Sequence, residues 1–333
     1  MERRPRPLVR LMEPVCSSRM VSRRLLKDAV AVFLYHEVSD QPSEFNRRFE
    51  LNLRPAVFAK QLDLIREAFH LIDPQQLLNG DYRTPAALIT FDDGNASYFR
   101  TALPIMKERR VPSVAFLNMG PIRGDVCWSG LVTYLQHCEP GFYDARHPRP
   151  SGNDYCRFTQ EEVGGYLRSS DAQGLLERVR AFRGPIATEA DLAVANDEPL
   201  AYFGNHLYNH YNAAQLSDRL PEAYWDNQRL LDRLSRGMRL WSYPFSCSSD
   251  ATTQWLFGEG TQAIFTGAGA GRRASGGSAV KLILKVTAVR ASEEPKPLVF
   301  DWLTGINTND EAPGGRIMLS PLVTRATLPK LSR

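Results

Sequence analysis

Ala87–Gly94, with the sequence Ala-Leu-Ile-Thr-Phe-Asp-Asp-Gly, is a short apolar run that ends in two adjacent carboxylates and a glycine. A run of this length that is closed by a turn residue predicts a buried strand. Because side chains alternate along a strand, we expect Asp92 and Asp93 to project in different directions where the strand meets its loop. A buried charge without a partner is very costly, so both acids need partners. On this stretch alone, an ordinary strand-ending Asp-Gly turn remains an open alternative.

The composition of the chain is that of an ordinary globular protein. Of its 333 residues, 43% are hydrophobic and 23% are charged, and the net charge is +4. This length allows one large α/β domain or two smaller ones. Much of the positive excess lies in residues 1–28, which we interpret as a flexible basic leader. The rest of the chain is close to neutral, which argues against a nucleic-acid partner.

Targeting signals and cysteine motifs are absent from the sequence. There is no apolar stretch of about 18 residues, so we predict no membrane-spanning helix. The apolar residues near the N-terminus are interrupted by Arg10, Glu13 and Pro14, which a secretory signal would not tolerate well. The five cysteines form no CxxC pair, so we expect neither a disulfide framework nor a cysteine zinc site. Together these observations predict a cytoplasmic protein.

Predicted strands alternate with predicted helices along most of the chain. Apolar runs of strand length lie at Ala29–Tyr35, Ala87–Phe91, Ser113–Leu117, Leu240–Phe245, Ala263–Thr266 and Val280–Val289. Segments with helical spacing of apolar residues lie between them, among them Ala96–Arg110 and Ser217–Leu234. Strand–helix–strand spacing implies a parallel sheet. The pattern predicts a single barrel-like α/β domain, in which chemistry collects at the C-terminal ends of the strands.

His206 and His210 are four residues apart. On a helix or a helical turn, this spacing places both imidazoles on one face, as in other two-histidine metal motifs. Two unrelated surface histidines are the simpler alternative. A divalent metal ion held by two imidazoles and one carboxylate keeps positions open for water and substrate. One acid of the Asp92–Asp93 pair would be the third ligand, and the other would be a general base toward an attacking water.

Four segments together resemble the motifs of the polysaccharide deacetylase family, carbohydrate esterase family 4, which shares the NodB-homology domain. Thr90–Gly94 matches the first motif of the family in full. Gly204–His210, followed by Leu216-Ser217, resembles the second motif. Tyr35–Val38 resembles the first-strand signature of many members, and Tyr243–Phe245 resembles the Pro-aromatic core of the third motif. These segments follow one another in the order and spacing of the family.

The resemblance implies a fold, a reaction and a set of site residues. The fold is a distorted (β/α) barrel, here over residues 29–305, with a covering insertion at about residues 120–200 and a tail at 306–333. The reaction is metal-dependent hydrolysis of an N-acetyl group from a sugar polymer, and zinc is the expected ion. Asp92 would be the catalytic base. The metal ligands would be Asp93, His206 and His210. A backbone N–H near Tyr243 or Phe245 would help to hold the oxyanion.

The chain departs from the family pattern at three places. Leu207 stands where the second motif usually has Ser or Thr, and Trp241-Ser242 stands where the third motif usually begins with Arg. The apolar run Ile317–Pro321 lacks the histidine with which the fifth motif normally ends. Two residues at strand ends are candidates to fill these gaps. His36 would replace the missing acid, and Arg290 would replace the missing arginine.

The sequence therefore predicts a metal-dependent deacetylase acting on an N-acetylated sugar or polysaccharide, in the synthesis of a bacterial surface glycan. A catalytically silent relative that binds glycan or metal is the main alternative, and the absent histidine and arginine favour it. Hydrolysis of a non-sugar C–N bond, which related proteins on this fold perform, is a third hypothesis. Aromatic residues that could stack on a sugar are Trp128, Tyr208, Tyr211, Trp241 and Tyr243.

Overall fold

The computed structural model describes residues 30–139, 142, 159–169, 172–247, 249–266, 273–274, 281–285 and 287–288. The strands in these ranges are β1 Val30–Tyr35, β2 Glu37–Val38, β3 Asn52–Leu53, β4 His70–Leu71, β5 Ala86–Phe91, β6 Ser113–Leu117, β7 Ala201–Asn205, β8 Gly237–Ser242, β9 Ala263–Thr266, β10 Arg273–Ala274, β11 Lys281–Lys285 and β12 Thr287–Ala288. The helices are α1 Glu44–Arg48, α2 Pro55–Ala68, α3 Pro74–Asn79, α4 Leu103–Glu108, α5 Met119–Ile122, α6 Trp128–Cys138, α7 Gln160–Ser169, α8 Ala172–Arg183, α9 Glu189–Asn196, α10 Leu220–Leu231 and α11 Asp250–Gly258.

Most of the described strands form one curled, largely parallel sheet. Its order is β10-β11-β9-β8-β7-β6-β5-β1-β12, and β4 also pairs with β5. The described part of β11 pairs with β9, and β12 pairs with β1. Only residue 286 separates β11 from β12 in the chain, so this last stretch links the two sides of the sheet. The predicted barrel-like α/β fold class is confirmed.

The central strands are buried along their whole length because both faces of the sheet are covered. Every residue of β5 and of β6 is buried, as expected for parallel strands between two layers. Ile89 of β5 belongs to one apolar cluster, and its neighbour Leu88 belongs to another. In β7, a Cβ on Gly204 would lie 2.6 Å from the ring of Phe116, so glycine allows this ring to pack directly against the strand.

The predicted element bounds agree closely with the structure in the core and less closely at turns. β6 and β9 have the predicted bounds, but the strand predicted at Leu240–Phe245 is displaced. It begins at Gly237 and ends at Ser242, and Pro244–Ser246 forms a 3-10 turn. Pro244 has no N–H to give to a β-ladder, which ends the strand before it. The helix predicted at Ala96–Arg110 is a π-helical turn, Tyr98–Ala102, that continues into α4.

The described part of the covering insertion contains helices α6 to α9. Helices α6 and α8 share an apolar cluster, whose buried members include Trp128, Leu131, Val132, Leu135, Leu175 and Val179. Among the described residues, none of these helices or the others is long and apolar enough to cross a membrane. The predicted leader (1–28), the tail (306–333) and Arg290 lie outside the described residues, so the domain bounds remain a prediction.

Candidate active site

Polar side chains gather where neighbouring parallel strands end. Asp92 and Asp93 follow β5, Asn118 follows β6, His206 follows β7, and Ser242 is the last residue of β8. These four strands are adjacent in the sheet, so their C-terminal ends meet at one edge. This is the end of a barrel at which catalytic residues are usually found. The two sequence motifs that contain the acids and the histidines are therefore brought together.

Asp93, His206 and His210 form a buried cluster with convergent ligand atoms. Asp93 Oδ1 lies 3.0 Å from His210 Nε2 and 3.4 Å from His206 Nε2. The ligand atoms of all three residues lie within 4.8 Å of one another. Burial alone would raise the pKa of Asp93, but the two histidines and Arg183 hold it well below its usual range. The ionised carboxylate and two imidazoles are a group that could hold a metal ion.

The orientation of the His206 ring is fixed by the end of β8. Its Nδ1 lies 2.9 Å from the backbone carbonyl oxygen of Ser242, which can only accept a hydrogen bond. In the neutral tautomer that this bond selects, the proton is on Nδ1, and Nε2 faces Asp93 with a free lone pair. Burial lowers the pKa of His206, but Asp92 and Asp93 outweigh it and raise the pKa overall. His210 has its pKa lowered, with burial as the largest cause.

The prediction that the two histidines lie on a helical turn is wrong. Residues 206–210 form an irregular loop in which Leu207 has a φ of 64° and His210 a φ of 55°. The side-chain amide of Asn118 donates to the carbonyl oxygens of His206 and Leu207, at 2.8 Å in the second case. The Leu207 N–H donates to Asn205 Oδ1 at 2.9 Å. Side-chain amides thus pair with backbone groups that a helical turn would otherwise pair internally.

Backbone strain is concentrated at this site. Seven described residues other than glycine have a positive φ, a conformation that is uncommon for them. Five of the seven lie in the loops around the cluster: Asp93, Leu207, His210, Phe245 and Ser246. Such positions persist only where the surrounding structure enforces them, and they occur preferentially at functional sites.

Asp92 lies beside the cluster but has different partners. Its Oδ2 accepts a hydrogen bond from Ser242 Oγ at 3.0 Å and lies 3.9 Å from His206 Nε2. Its Oδ1 is buried and has no hydrogen-bond partner among the described residues. Burial raises the pKa of Asp92 to about 6, with the charge of Asp93 adding to the effect of burial while His206 and Ser242 oppose it. One carboxylate oxygen is therefore held in place, and the other is open to a further partner.

Three other residues that the sequence predicts for the site are His36, Tyr243 and Phe245. His36 lies at the end of β1, and its Nδ1 is buried without a partner among the described residues. Burial lowers its pKa to about 4, although Asp93 acts in the opposite direction. The Tyr243 N–H donates to the Phe265 carbonyl oxygen at 3.2 Å, so it is not available to an oxyanion. The ring of Phe245 packs edge-on against His210, with 4.5 Å between ring centroids.

Two of the five predicted aromatic wall residues border a cavity. Trp128 and Tyr211, whose ring centroids are 5.3 Å apart, line a space of about 170 Å³ beside the loop that follows His210. Trp241 and Tyr243 are instead buried in an apolar cluster, so their predicted role as a sugar-stacking wall is wrong.

Several residues that organise the site were not predicted from the sequence. Asn118 and Ser242 could have been predicted from the sequence, because polar residues at the C-terminal ends of strands are candidate site residues in a barrel. Arg183, from the end of α8, donates to Asp93 Oδ2 at 3.0 Å. It is 90 positions away from Asp93 in the chain, and its helix has the pattern of an ordinary amphipathic helix. Nothing in the sequence indicated this contact.

The fold is similar to that of several solved structures. No family model and no curated protein matches the chain. IcaB from Ammonifex degensii is 18% identical with a TM-score of 0.53, over 83% of this chain and 97% of that one. BC0361, a polysaccharide deacetylase from Bacillus cereus, is 12% identical with a TM-score of 0.50, over 78% of this chain and 65% of that one. The chain thus has the fold of the polysaccharide deacetylases, as the motif resemblance predicted.

Proposed function

We propose that this protein is a metal-dependent hydrolase that removes N-acetyl groups from an N-acetylated sugar or polysaccharide. One observation carries the proposal: the convergent atoms of Asp93, His206 and His210 lie beside a second carboxylate, Asp92, with an open oxygen. The similarity in fold to BC0361, which is a polysaccharide deacetylase, supports the same class of reaction.

Asp93, His206 and His210 would hold the ion. Two imidazoles and one carboxylate suit zinc, and three protein ligands leave positions open for water and substrate. A divalent ion bound there would polarise the acetamide carbonyl and lower the pKa of a water molecule. The Nδ1 contact of His206 with the Ser242 carbonyl presents Nε2 to the ion, as is usual for metal-binding histidines.

Asp92 would be the general base. Ser242 occupies Oδ2, so the unpartnered Oδ1 is the atom that can accept a proton from the attacking water. In the metal-free protein, burial raises the pKa of Asp92 to about 6, which makes its carboxylate a stronger base than that of an exposed aspartate.

The proton must finally reach the leaving amine. His36 is the candidate for this transfer, because its unpartnered Nδ1 belongs to a ring that interacts electrostatically with the cluster. Its lowered pKa keeps the ring neutral near neutral pH, so it would have to receive the proton that Asp92 takes from the water before it delivers a proton to the amine. We expect His36→Ala to reduce acetate release about 100-fold or more. Unchanged release would leave Asp92 to carry both proton transfers and would remove His36 from the mechanism.

Further parts of the proposal concern the substrate and the setting. The cavity lined by Trp128 and Tyr211 offers aromatic surface against which a sugar ring could stack. A role in bacterial surface glycan synthesis, a cytoplasmic location and a role for Arg290 are predictions from the sequence.

A catalytically silent protein that binds glycan or metal is the second candidate, favoured by the absence of the family's usual arginine before the Pro-aromatic motif.

The test is acetate release from N-acetylglucosamine oligomers, measured with the purified protein before and after EDTA treatment. We expect release that EDTA abolishes and that added zinc restores. Asp92→Asn is the matched control, since it keeps the shape of the side chain and removes the base. Release that persists after EDTA and in this variant would contradict the proposal, and a lack of release from a zinc-loaded protein would favour the silent alternative.

A further inference from the structure

We propose that Arg183, which the covering insertion supplies, is a positioning residue that sets the orientation of the Asp93 carboxylate for metal binding. The inference rests on the proposed metal role of Asp93. It concerns a residue outside all the motifs described above, on an element that is separate from the barrel strands.

Residues 92–96, which follow β5, are called the acidic loop. Two different nitrogens of Arg183 donate hydrogen bonds to side chains in this loop. Its Nη2 donates to Asp93 Oδ2 at 3.0 Å, and its Nη1 donates to Asn95 Oδ1 at 2.7 Å. The two contacted side chains are two residues apart on the loop that follows β5. Because the guanidinium group is a rigid planar fork, these two bonds define its position relative to the loop. They also leave Asp93 Oδ1 facing the two imidazoles.

The surroundings of Arg183 hold it in this place. The side chain is only 2% exposed, and its guanidinium carbon lies 4.6 Å above the ring of Phe45. Gly130 of α6 provides the space for its stem, since a Cβ there would lie 2.9 Å from the Cβ and Cγ of Arg183. The arginine is thus enclosed by α1, α6 and the acidic loop.

The backbone after α8 also pairs with the acidic loop. The Ala96 N–H donates to the Pro185 carbonyl oxygen at 3.1 Å, and the Ala187 N–H donates to the Gly94 carbonyl oxygen at 3.0 Å. These bonds fix the end of α8 next to the two acids. Arg183 therefore reaches Asp93 from a rigid support, as a group that orients a ligand must.

The arginine acts on the metal-binding acid and not on the base. The Asp92 carboxylate accepts a hydrogen bond from Ser242, whereas Oδ2 of Asp93 accepts one from the guanidinium group. An ionised side chain that donates a hydrogen bond to one oxygen of a ligating carboxylate restricts the rotation of that carboxylate. The other oxygen then stays directed at the ion. Outer partners of this kind typically change metal affinity about 10- to 100-fold when they are removed.

A purely structural ion pair is the competing explanation, and zinc affinity separates the two. We would measure the dissociation constant for zinc by competition with a chelating dye, and record the visible spectrum of the cobalt-substituted protein. Arg183→Lys keeps the positive charge but loses the planar guanidinium group. Gly130→Ala displaces the arginine side chain without changing any side chain of the proposed metal site. Phe182→Leu is the control, because the Phe182 ring packs on Phe45 and Tyr134 beside Arg183 without touching the acids.

We expect both Arg183→Lys and Gly130→Ala to weaken zinc binding about 10- to 100-fold and to alter the cobalt spectrum. Phe182→Leu should lower the melting temperature while leaving affinity and spectrum unchanged. The inference is overturned if Arg183→Lys binds zinc like the wild type, or if Phe182→Leu weakens binding to the same extent. Failure of the wild-type protein to bind zinc would refute the proposed function instead, so the two failures are distinguishable.

Discussion

Asp92 and Asp93 are neighbours in the chain, but their carboxylates lie in opposite electrostatic surroundings. Asp93 is surrounded by Arg183 and two histidines, and its pKa lies well below the usual range. Asp92 has a serine hydroxyl as its hydrogen-bond donor, and burial raises its pKa to about 6. The chain turns directly after β5, where Asp93 has a φ of 75°, and this turn sends the two carboxylates to different places.

This difference assigns different chemistry to each acid. A carboxylate that stays ionised and has its second oxygen held is suited to ligate a cation. A carboxylate with a raised pKa and an open oxygen is suited to exchange protons. Pairs of titratable groups whose environments separate their pKa values are typical of acid–base sites.

Replacing each acid should move the stability of the metal-free protein in opposite directions, and this is the largest expected effect. Asp93→Asn leaves Arg183 buried without the carboxylate that it contacts and should lower the free energy of unfolding by about 3–5 kcal/mol. Asp92→Asn removes a buried charge that the fold disfavours, so it should raise the free energy of unfolding by up to about 3 kcal/mol. Urea unfolding at neutral pH measures both changes.

The pH dependence of the Asp92→Asn effect provides its control. Because the pKa of Asp92 is raised on folding, its charge destabilises the protein above about pH 6 and has no effect once the group is protonated in both states. The advantage of the variant should therefore decrease as the pH falls from about 6 towards 3.8, the ordinary pKa of an aspartate. A variant that is destabilised at neutral pH would contradict the described surroundings of Asp92.

Ser242→Ala should have a smaller effect. It should change the pKa and the activity of Asp92 without changing metal binding by Asp93. The hydroxyl stabilises the ionised carboxylate, so its loss should raise the pKa of Asp92 and move the acidic limb of the activity profile to higher pH. We expect turnover near neutral pH to fall about 10-fold. Zinc affinity should stay unchanged, and a loss of zinc binding would show that the two acids are not independent.

The sequence predicted those parts of the site that lie within short segments. Asp92-Asp93 and the two histidines were recognisable because each pair lies within a few residues at the end of an apolar strand. Strands β6 and β9 were predicted with their observed bounds, since continuous apolar runs are a strong signal for buried parallel strands.

The partners that distinguish the two acids were not predictable in the same way. Ser242 reaches Asp92 across 150 positions of the chain, and Arg183 reaches Asp93 across 90. Such contacts depend on which strands are neighbours and on how the insertion folds back, and neither follows from local patterns. The histidine loop was mispredicted as a helical turn because the amide of Asn118, contributed by another strand end, pairs with its carbonyl groups.

The central claim is that Asp93 binds a metal ion while Asp92 serves as the base. The most direct test is to measure, by equilibrium dialysis, the zinc bound by the wild type, Asp92→Asn and Asp93→Asn, and to assay acetate release on the same samples. We predict that Asp92→Asn binds one zinc ion per chain without activity, whereas Asp93→Asn loses both zinc and activity. Equal loss of zinc in the two variants, or full zinc binding by Asp93→Asn, would contradict the account.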